Sequence, residues 1–347
     1  MNIHPNFSYN GRMMGSEQWK SLLNEMVQTS QPWEQSHAQF MLNWLDDADI
    51  VEVQTSGSTG TPKIMQVSKS AMAASAHMTA HYFQRAENTR GLLVLPSSFI
   101  AGKMMLVRAM TMGWHLTALE PVSHPLDNIV EPFDFAAFTP MQLAALTTQQ
   151  LNLLGAFGTV IVGGAAIPGK VRQSLAACNG KLFETYGMAE TLSHVAVRPI
   201  RSAEEPFQAL PGVTFTADEE GRLRIVAPHL SSEQFQSSDV VVMISETSFL
   251  YRGRYDRVIN SGGIKLFAEV IEEKLSAIID VPFYITSHPD DALGQRVVLY
   301  IETERAIDVT EWKERARSVL DKYEVPKEVV PLKKFTRTHS GKILFNT

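Results

Sequence analysis

The sequence predicts an α/β protein: a large layered N-terminal domain with a short β-rich portion, followed by a small α+β C-terminal domain. Between residues 90 and 200, short apolar runs alternate with helical patterns, which is typical of a largely parallel sheet covered by helices. From about residue 210 to 252 the pattern changes to short β segments. The composition changes again after Arg254, and the roughly 90 residues that follow are enough to fold separately.

Local patterns justify each element in chain order. The first 50 residues are expected to be mostly helical, around 17–27 and 37–44, and Ser68 is a suitable N-cap for a helix that runs towards Phe83. The strand candidates of the layered domain are 50–54, 64–67, 91–95, 116–119, 136–139 and 159–163, and a hairpin turn is expected at 219–221. The small domain is expected to contain a helix at 269–279, strands at 281–287 and 296–302, and a helix at 311–322.

The composition excludes several classes of protein. Apolar and charged contents of 44% and 20% are those of an ordinary globular protein, and a net charge of −6 offers no general attraction to nucleic acid or anionic membranes. The single cysteine, Cys178, excludes an intramolecular disulfide and fits a reducing cytoplasm. Neither a signal peptide nor an apolar run of about 20 residues is recognised, so we expect a cytoplasmic protein without membrane insertion.

The loop Thr55–Lys63, with the sequence TSGSTGTPK, combines hydroxyl side chains, two glycines and a lysine. Glycines let successive backbone N–H groups converge on an anion, hydroxyls add neutral donors, and a lysine supplies a point charge for phosphate. The loop lacks Walker A spacing and is expected to join two strands, which argues against a P-loop nucleotide hydrolase. A polyphosphate-binding loop and an ordinary flexible connector both fit these residues.

Two further stretches could bind a flat or phosphorylated ligand. Gly163 and Gly164 follow a predicted strand, so they could let a flat ligand approach the backbone, or they could form a tight strand-to-helix turn. Tyr186 could stack on a base, and Glu190 could hold a hard divalent cation. On their own, such a tyrosine and glutamate are more often an edge packing residue and a solvated charge.

Several charged residues carry little information alone. Arg254 and Asp256 lie at the inferred domain boundary, where linker charges are common, and Lys342 lies on a polar loop, where a lysine is usually a surface charge. His77 and His81 are spaced for one helix face but lack the His-Glu-x-x-His pattern, so no structural metal is assigned. The sequence has no Gly-x-Ser-x-Gly elbow, which argues against an α/β serine hydrolase.

Taken in order, the motifs resemble those of the acyl-adenylate-forming superfamily, which contains acyl-CoA synthetases, luciferases and the adenylation domains of peptide synthetases. The matching segments, spread over about residues 50–345, are TSGSTGTPK (55–63), YGMAE (186–190), SSD (237–239), GRYDRVINSGG (253–263) and RTHSGK (337–342). Three features resemble the o-succinylbenzoate–CoA ligases of menaquinone biosynthesis: VIVGGAAIP (160–168), LPSSFIAGKMMLVRAM (95–110) and a short N-terminal region.

The resemblance implies an ATP-dependent, AMP-forming acid–CoA ligase. It would convert a small carboxylic acid, o-succinylbenzoate, to an acyl-AMP, from which coenzyme A would displace AMP, with ATP, Mg²⁺ and coenzyme A as the implied cofactors and co-substrates. It also implies the adenylate-forming fold, abridged at the N-terminus, with domains at 1–253 and 257–347, the second mobile about a hinge at 254–256. A carrier-loading enzyme and an inactive ATP-binding relative are alternatives, and homo-oligomerisation is left open.

The resemblance also assigns roles to individual residues. The residues implied to cradle the ATP phosphates are Thr55, Ser56, Gly57, Ser58, Thr59, Gly60 and Lys63. Gly163, Gly164 and Ala165 are implied to border the adenine and the acyl group, with Tyr186 stacked on the base and followed by Gly187. Asp239 and Arg254 are implied to bind the ribose, and Glu190 to bind Mg²⁺. Lys265 would lie near the phosphate, Lys342 would reach the α-phosphate, and Asp256 would be the hinge.

The resemblance identifies the acid less specifically than the nucleotide. Because o-succinylbenzoate carries two carboxylates and an aryl ketone, its pocket should offer a cation and apolar walls. Lys103 and Arg108 are candidates for the unreacted carboxylate, with Phe99 or Met104 for the aryl face, although both cations could instead lie on a solvated helix face. Four positions depart from the family pattern: Ala189, Phe99, Ser238 and Val270.

Overall fold

The computed structural model describes residues 1–54, 64–304, 308–337 and 343. The helices are α1 (Ser16–Thr29), α2 (Pro32–Leu45), α3 (Lys69–Tyr82), α4 (Ile100–Met112), α5 (Thr148–Gly155), α6 (Gly169–Ala176), α7 (Ala268–Leu275) and α8 (Val309–Arg317). The strands before residue 255 are β1 (Ser8–Tyr9), β2 (Arg12–Met13), β3 (Ile50–Gln54), β4 (Ile64–Ser68), β5 (Arg90–Leu93), β6 (His115–Ala118), β7 (Phe135–Phe138), β8 (Val160–Val162), β9 (Leu182–Gly187), β10 (His194–Pro199), β11 (Phe207–Ala209), β12 (Thr214–Ala217), β13 (Arg222–Val226), β14 (Phe235–Ser245) and β15 (Ser248–Arg254). The later strands are β16 (Val258–Ser261), β17 (Ile264–Phe267), β18 (Phe283–Asp290), β19 (Gly294–Glu302) and β20 (Glu328–Leu332).

The N-terminal helices and the β3–β4 hairpin confirm the sequence prediction. Helix α1 buries Trp19, Leu23 and Met26, whose spacing of four and three residues places them on one face. At the start of α3, the Ser68 hydroxyl accepts a hydrogen bond from the amide of Ala71 at 3.3 Å, as expected of an N-cap.

A large twisted sheet forms the body of the layered part. Among the described residues its 13 strands run in the order β12-β13-β14-β15-β11-β10-β9-β8-β7-β5-β6-β1-β2. Strands β1, β6, β5, β7, β8 and β9 pair in parallel, which confirms the predicted parallel sheet. Parallel strands end at the same edge of a sheet, so the loops that follow β5, β7 and β8 lie together.

Helices cover both faces of this sheet. Successive residues of β5 alternate between two buried clusters: Leu93 lies with the residues of α1–α4, and Leu92 lies with those of α5 and α6. This alternation is what a strand buried on both sides requires. The predicted layered α/β architecture is therefore confirmed.

The β-rich portion continues the same sheet with antiparallel strands. Gly221, with φ +80°, forms the predicted hairpin turn between β12 and β13. The long hairpin of β14 and β15 then pairs Asp239 with Arg254 across the two strands. Two residues that are 15 positions apart in sequence thus lie opposite each other on neighbouring strands.

The C-terminal part has its own sheet, in the order β17-β16-β19-β18 with β20 paired to β19, and its own buried cluster. The β16–β17 hairpin was not predicted, although Gly262 and Gly263, with φ of +59° and +82°, form a two-residue turn that needs positive φ at both positions. Helix α7 ends at Leu275 rather than residue 279, because the Ser276 hydroxyl donates to the Glu273 carbonyl at 2.6 Å and the Ala277 amide donates to Lys274 instead. No helix in the described ranges is long and apolar enough to cross a bilayer.

Candidate active site

Two glycines open the carboxyl end of β8. A Cβ atom on Gly163 would lie only 2.1 Å from the Thr185 hydroxyl of the neighbouring strand β9, so that position has no room for a side chain. Gly164 has φ +87°, and a Cβ there would meet nothing within 4 Å. The backbone is therefore uncovered at the sheet edge where α/β proteins bind flat ligands.

Tyr186, near the end of β9, is joined to Asp239. Its hydroxyl donates a hydrogen bond to Oδ2 of that carboxylate at 2.5 Å. The ring is 9% exposed and packs against Phe249 and Phe207, with centroid distances of 5.1 and 5.6 Å. The sequence singled out both Tyr186 and Asp239 but did not predict that they touch. Stacking of Tyr186 on a base stays a prediction.

The environment of Asp239 is electrostatically mixed. Burial raises the pKa of its carboxyl, while the Tyr186 hydrogen bond and the positive charge of Arg254 oppose that rise. Arg254 faces it across the β14–β15 hairpin. A carboxylate that accepts one hydrogen bond from a phenol still has lone pairs that can accept from hydroxyl groups of a ligand.

The guanidinium of Arg254 also holds the predicted hinge residue. Its Nε and NH2 atoms lie 3.1 and 3.2 Å from Oδ1 and Oδ2 of Asp256, a two-pronged contact. This hydrogen bonding lowers the pKa of Asp256. One arginine therefore links the proposed ribose site with the boundary of the C-terminal part.

The loop after Tyr186 is held in a tight conformation. The Thr191 hydroxyl is buried, accepts from the Met188 amide at 3.0 Å, and lies 2.9 Å from the Ser193 carbonyl. Leu192 has φ +62°, a conformation that is rare for a bulky residue and is often found at functional sites. Within this rigid turn Glu190 is exposed, and a carboxylate is the ligand that Mg²⁺ prefers.

Helix α4 carries the residues proposed for the acid. Phe99 is 40% exposed at its N-terminus. Lys103 is half-buried, donates to the Glu52 carbonyl at 3.2 Å, and lies 5.7 Å from the Phe40 ring centroid, and its burial lowers the pKa of its ammonium group.

Arg108 is not on a solvated helix face, so that alternative is wrong for this residue. It is 2% exposed, and its Nη2 atom donates to the Ser193 hydroxyl at 2.6 Å. Its Nε atom is buried and has no partner among the described residues, and burial lowers its pKa to about 9. Ser193 and the adjacent buried His194 were missed in the sequence, where a serine and a histidine before an apolar run give no signal.

The remaining predicted residues are distributed as follows. Ala165 and Gly187 lie exposed beside the glycine turn and at the end of β9, respectively, and Lys265 is exposed on β17 of the C-terminal part. Those that fall outside the described residues are Thr55, Ser56, Gly57, Ser58, Thr59, Gly60, Lys63 and Lys342.

Comparison with known proteins defines the class. Residues 13–229, more than half of the chain, match the family described as AMP-binding enzymes. The protein belongs to this family of acyl-adenylate-forming ligases, as the ordered motifs predicted. The predicted adenylate-forming fold is likewise confirmed by the solved structures it resembles.

Among curated relatives, 2-succinylbenzoate–CoA ligase of Escherichia coli is 24% identical over 74% of this chain and 60% of its own length. A probable 2-succinylbenzoate–CoA ligase of Mycobacterium tuberculosis is 28% identical over 74% of this chain and 72% of its own. The chain therefore matches only about three fifths of the length of the first of these enzymes.

Two solved structures illustrate the range of similarity. An acyl-CoA synthetase (AMP-forming)/AMP-acid ligase II-like protein from Dyadobacter fermentans is 35% identical, with a TM-score of 0.62 over 93% of this chain and 95% of its own. The o-succinylbenzoate CoA synthetase of Bacillus subtilis, bound to its acyl-adenylate intermediate, is 18% identical with a TM-score of 0.73 over 84% of this chain and 67% of its own. The first of these is similar to nearly the whole chain.

Proposed function

We propose that this protein is an ATP-dependent, AMP-forming acid–CoA ligase whose acid is o-succinylbenzoate. The observation that carries the proposal is the junction of Tyr186, Asp239 and Arg254 beside the uncovered glycine turn after β8. The family's motif order assigns a nucleotide to this junction. Two curated relatives with the proposed activity support the choice of acid.

The chemistry follows from the weakness of a carboxylate as an acyl donor. A carboxylate oxygen attacks the α-phosphorus of ATP, the bond to the bridging oxygen breaks, and pyrophosphate leaves. The thiolate of coenzyme A then attacks the acyl carbon and displaces AMP. Negative charge grows on phosphate oxygens in the first step, so fixed positive groups there contribute most to the rate. The loop 55–63 and Lys342 are assigned that task by the motif resemblance.

Asp239 and Arg254 are proposed to bind the ribose. Tyr186 already donates to Oδ2 of Asp239, so a ribose hydroxyl would donate to Oδ1. The phenol thereby fixes the rotation of the carboxylate and leaves one oxygen for the sugar. Preorganisation of this kind lowers the entropic cost of binding the ribose.

Glu190 is proposed to hold Mg²⁺. Its carboxylate is exposed next to the rigid turn at Thr191 and Leu192, which suits a hard cation that retains several waters. When bound, the ion neutralises charge on the polyphosphate. Glu190 would fix the position of that charge relative to Tyr186.

Arg108 is proposed to bind the second carboxylate of the acid. Within the described ranges no carboxylate pairs with this buried guanidinium, which is unfavourable, and an anionic substrate would supply the missing charge. With a pKa of about 9 it remains charged at neutral pH. Lys103 is the weaker candidate, since its ammonium group is already bonded to the Glu52 carbonyl. Phe99 is proposed for the aryl face.

A panel of acids tests the proposal. AMP formation is measured with ATP, Mg²⁺ and coenzyme A for o-succinylbenzoate, benzoate, succinate and a set of amino acids. We expect o-succinylbenzoate to give the highest kcat/KM and AMP release to depend on both acid and coenzyme A. A preference for an amino acid, or transfer only to a carrier protein, would replace this function with the carrier-loading alternative. Absence of acid-dependent AMP release would indicate an inactive relative.

A further inference from the structure

Helix α7 of the C-terminal part is docked on helix α6 of the layered part. A Cβ atom on Gly169 would lie 1.9 Å from the hydroxyl of Ser276, the residue that follows α7, so the first residue of α6 has no room for a side chain. Lys170 forms an ion pair with Asp280, and Arg172 lies 3.3 Å from Oε1 of Glu273. The contact between the two parts is thus small, close and charged.

The buried charges beneath this contact do not balance within the layered part. Oε2 of Glu184 accepts from Arg172 at 2.9 Å and from Arg198 at 2.7 Å. The exposed fractions of the three side chains are 9%, 6% and 6%, so two cations share one anion out of water. Glu273 of α7 supplies the second negative charge.

Arg172 relies on Glu273 for charge pairing, whereas Arg198 has other partners. Arg198 also donates to the carbonyls of Ala203 and Glu205 and lies 4.4 Å from the Phe207 ring centroid. Among the described residues, Arg172 bonds only to the two carboxylates of Glu184 and Glu273, and its Nη1 atom is buried without a partner there. Removal of α7 would leave this guanidinium half-paired in a buried setting, which is costly.

The same carboxylate is part of the candidate active site's framework. Glu184 precedes Tyr186 by two residues on β9 and pairs in register with Val162, the residue before the glycine turn. A change in the position of Arg172 therefore alters the hydrogen bonding of strand β9, which also carries Tyr186.

We infer that Arg172 is a positioning residue that holds the C-terminal part in the observed orientation through Glu273. Where the C-terminal part turns as a body about residues 254–256, this ion pair exists in only one orientation. By holding this orientation, the ion pair sets the ratio of the rates of the adenylation and thioester-forming half-reactions. This effect on catalysis rests on the proposed function. Its effect on orientation does not depend on that function.

Orientation is tested by cross-linking without acid or coenzyme A. Lys170→Cys and Asp280→Cys are combined in a Cys178→Ser background, and the rate of bridging by a short bis-maleimide reports the docked fraction. We expect Glu273→Gln to slow bridging by on the order of tenfold. The control Asp291→Asn, an exposed carboxylate elsewhere in the C-terminal part, should change it by less than about twofold. Equal rates for the two variants would overturn the inference, whatever the enzyme's substrate.

The half-reactions are measured in chains that retain Lys170 and Asp280. We expect Glu273→Gln to alter the ratio of ATP–pyrophosphate exchange to thioester formation from supplied acyl-AMP by on the order of tenfold. Asp280→Asn removes the exposed pair, whose side chains are 54% and 70% exposed, and should leave the ratio within about twofold. The double variant Arg172→Gln/Glu273→Gln should lie closer to the wild-type ratio than Glu273→Gln does, because it removes the surplus charge. Equal losses in both half-reactions would indicate a merely structural role.

Discussion

The hydroxyl of Tyr186 donates a 2.5 Å hydrogen bond to Oδ2 of Asp239, which joins two motifs that are 53 residues apart. The contact joins β9 to β14, although β15, β11 and β10 lie between these two strands in the sheet. The hydrogen bond orients the Asp239 carboxylate and opposes the rise of its pKa, a role distinct from the stacking on a base that is proposed for Tyr186.

Replacement of Tyr186 by Phe tests this contact. The ring is retained and the hydrogen bond to Asp239 is lost, so the KM for ATP should rise about tenfold, the scale of a hydrogen bond to a charged group. ATP–pyrophosphate exchange measures it. Tyr251→Phe is the matched control, since that ring lies 6.4 Å from Tyr186 and should leave the KM nearly unchanged. Equal effects of both changes would contradict the orienting role.

The pH dependence of ATP binding follows from the same contact. Burial raises the pKa of Asp239, and the carboxyl must be ionised to accept from a ribose hydroxyl, so binding should weaken as the pH falls through this raised pKa. The Tyr186 hydrogen bond lowers that pKa, so Tyr186→Phe should move the acid limb to higher pH. The dissociation constant of ATP is measured between about pH 4 and pH 8, because a carboxyl group with a raised pKa titrates within this range. An acid limb that does not move would contradict the proposal.

Arg108→Met should separate recognition of the two carboxylates of the acid. Loss of the buried cation should raise the KM for o-succinylbenzoate on the order of 10², while the rate with benzoate should be unaffected. Methionine fills the site without a charge, so thermal unfolding should show no loss of stability. Lys103→Met is the comparison variant, and a larger effect there than at Arg108 would reverse the assignment.

Lys342→Ala tests the lysine assigned by the C-terminal motif. Adenylation should fall by on the order of 10²–10³, the effect of removing one preorganised donor to a charged transition state. Conversion of supplied acyl-AMP to the thioester should persist, because the phosphoryl transfer has already occurred. Unaltered ATP–pyrophosphate exchange would show that the lysine has another role.

Asp256→Pro tests the proposed hinge. Proline fixes φ near −65°, so it should impair one half-reaction more than the other. It also removes the carboxylate that Arg254 holds in its two-pronged contact. Asp256→Asn controls for that loss, as it removes the charge but leaves φ free. If the asparagine variant reproduces the full effect of proline, the ion pair rather than the backbone is responsible.

Much of the layered fold could be predicted because its signals are local. Apolar runs, an N-cap at Ser68 and the alternation of strands with helices each act within a few residues. The β16–β17 hairpin was also within reach, since Gly262-Gly263 between alternating residues is a strong turn signal. The same two glycines also end the segment GRYDRVINSGG, so one stretch carries both a turn signal and a motif.

The contacts that define the candidate site could not be predicted from local patterns. Tyr186 and Asp239 lie on strands that are not neighbours in the sheet, and nothing near either residue in the sequence encodes their contact. Burial of Arg108 depends on what covers α4, which its own sequence does not reveal. Glu184 is a carboxylate within strand β9, which is a weak signal by itself. Its arginine partners, Arg172 and Arg198, lie 12 residues earlier and 14 residues later in the chain.

The most direct test of the account is the product formed from o-succinylbenzoate. The purified full chain is incubated with ATP, Mg²⁺, coenzyme A and this acid, and AMP and the thioester are quantified together by mass spectrometry. The account predicts equimolar AMP and o-succinylbenzoyl-CoA, both absent when the acid is omitted. AMP formation with another acid but not with o-succinylbenzoate, or no thioester with any acid, would contradict it.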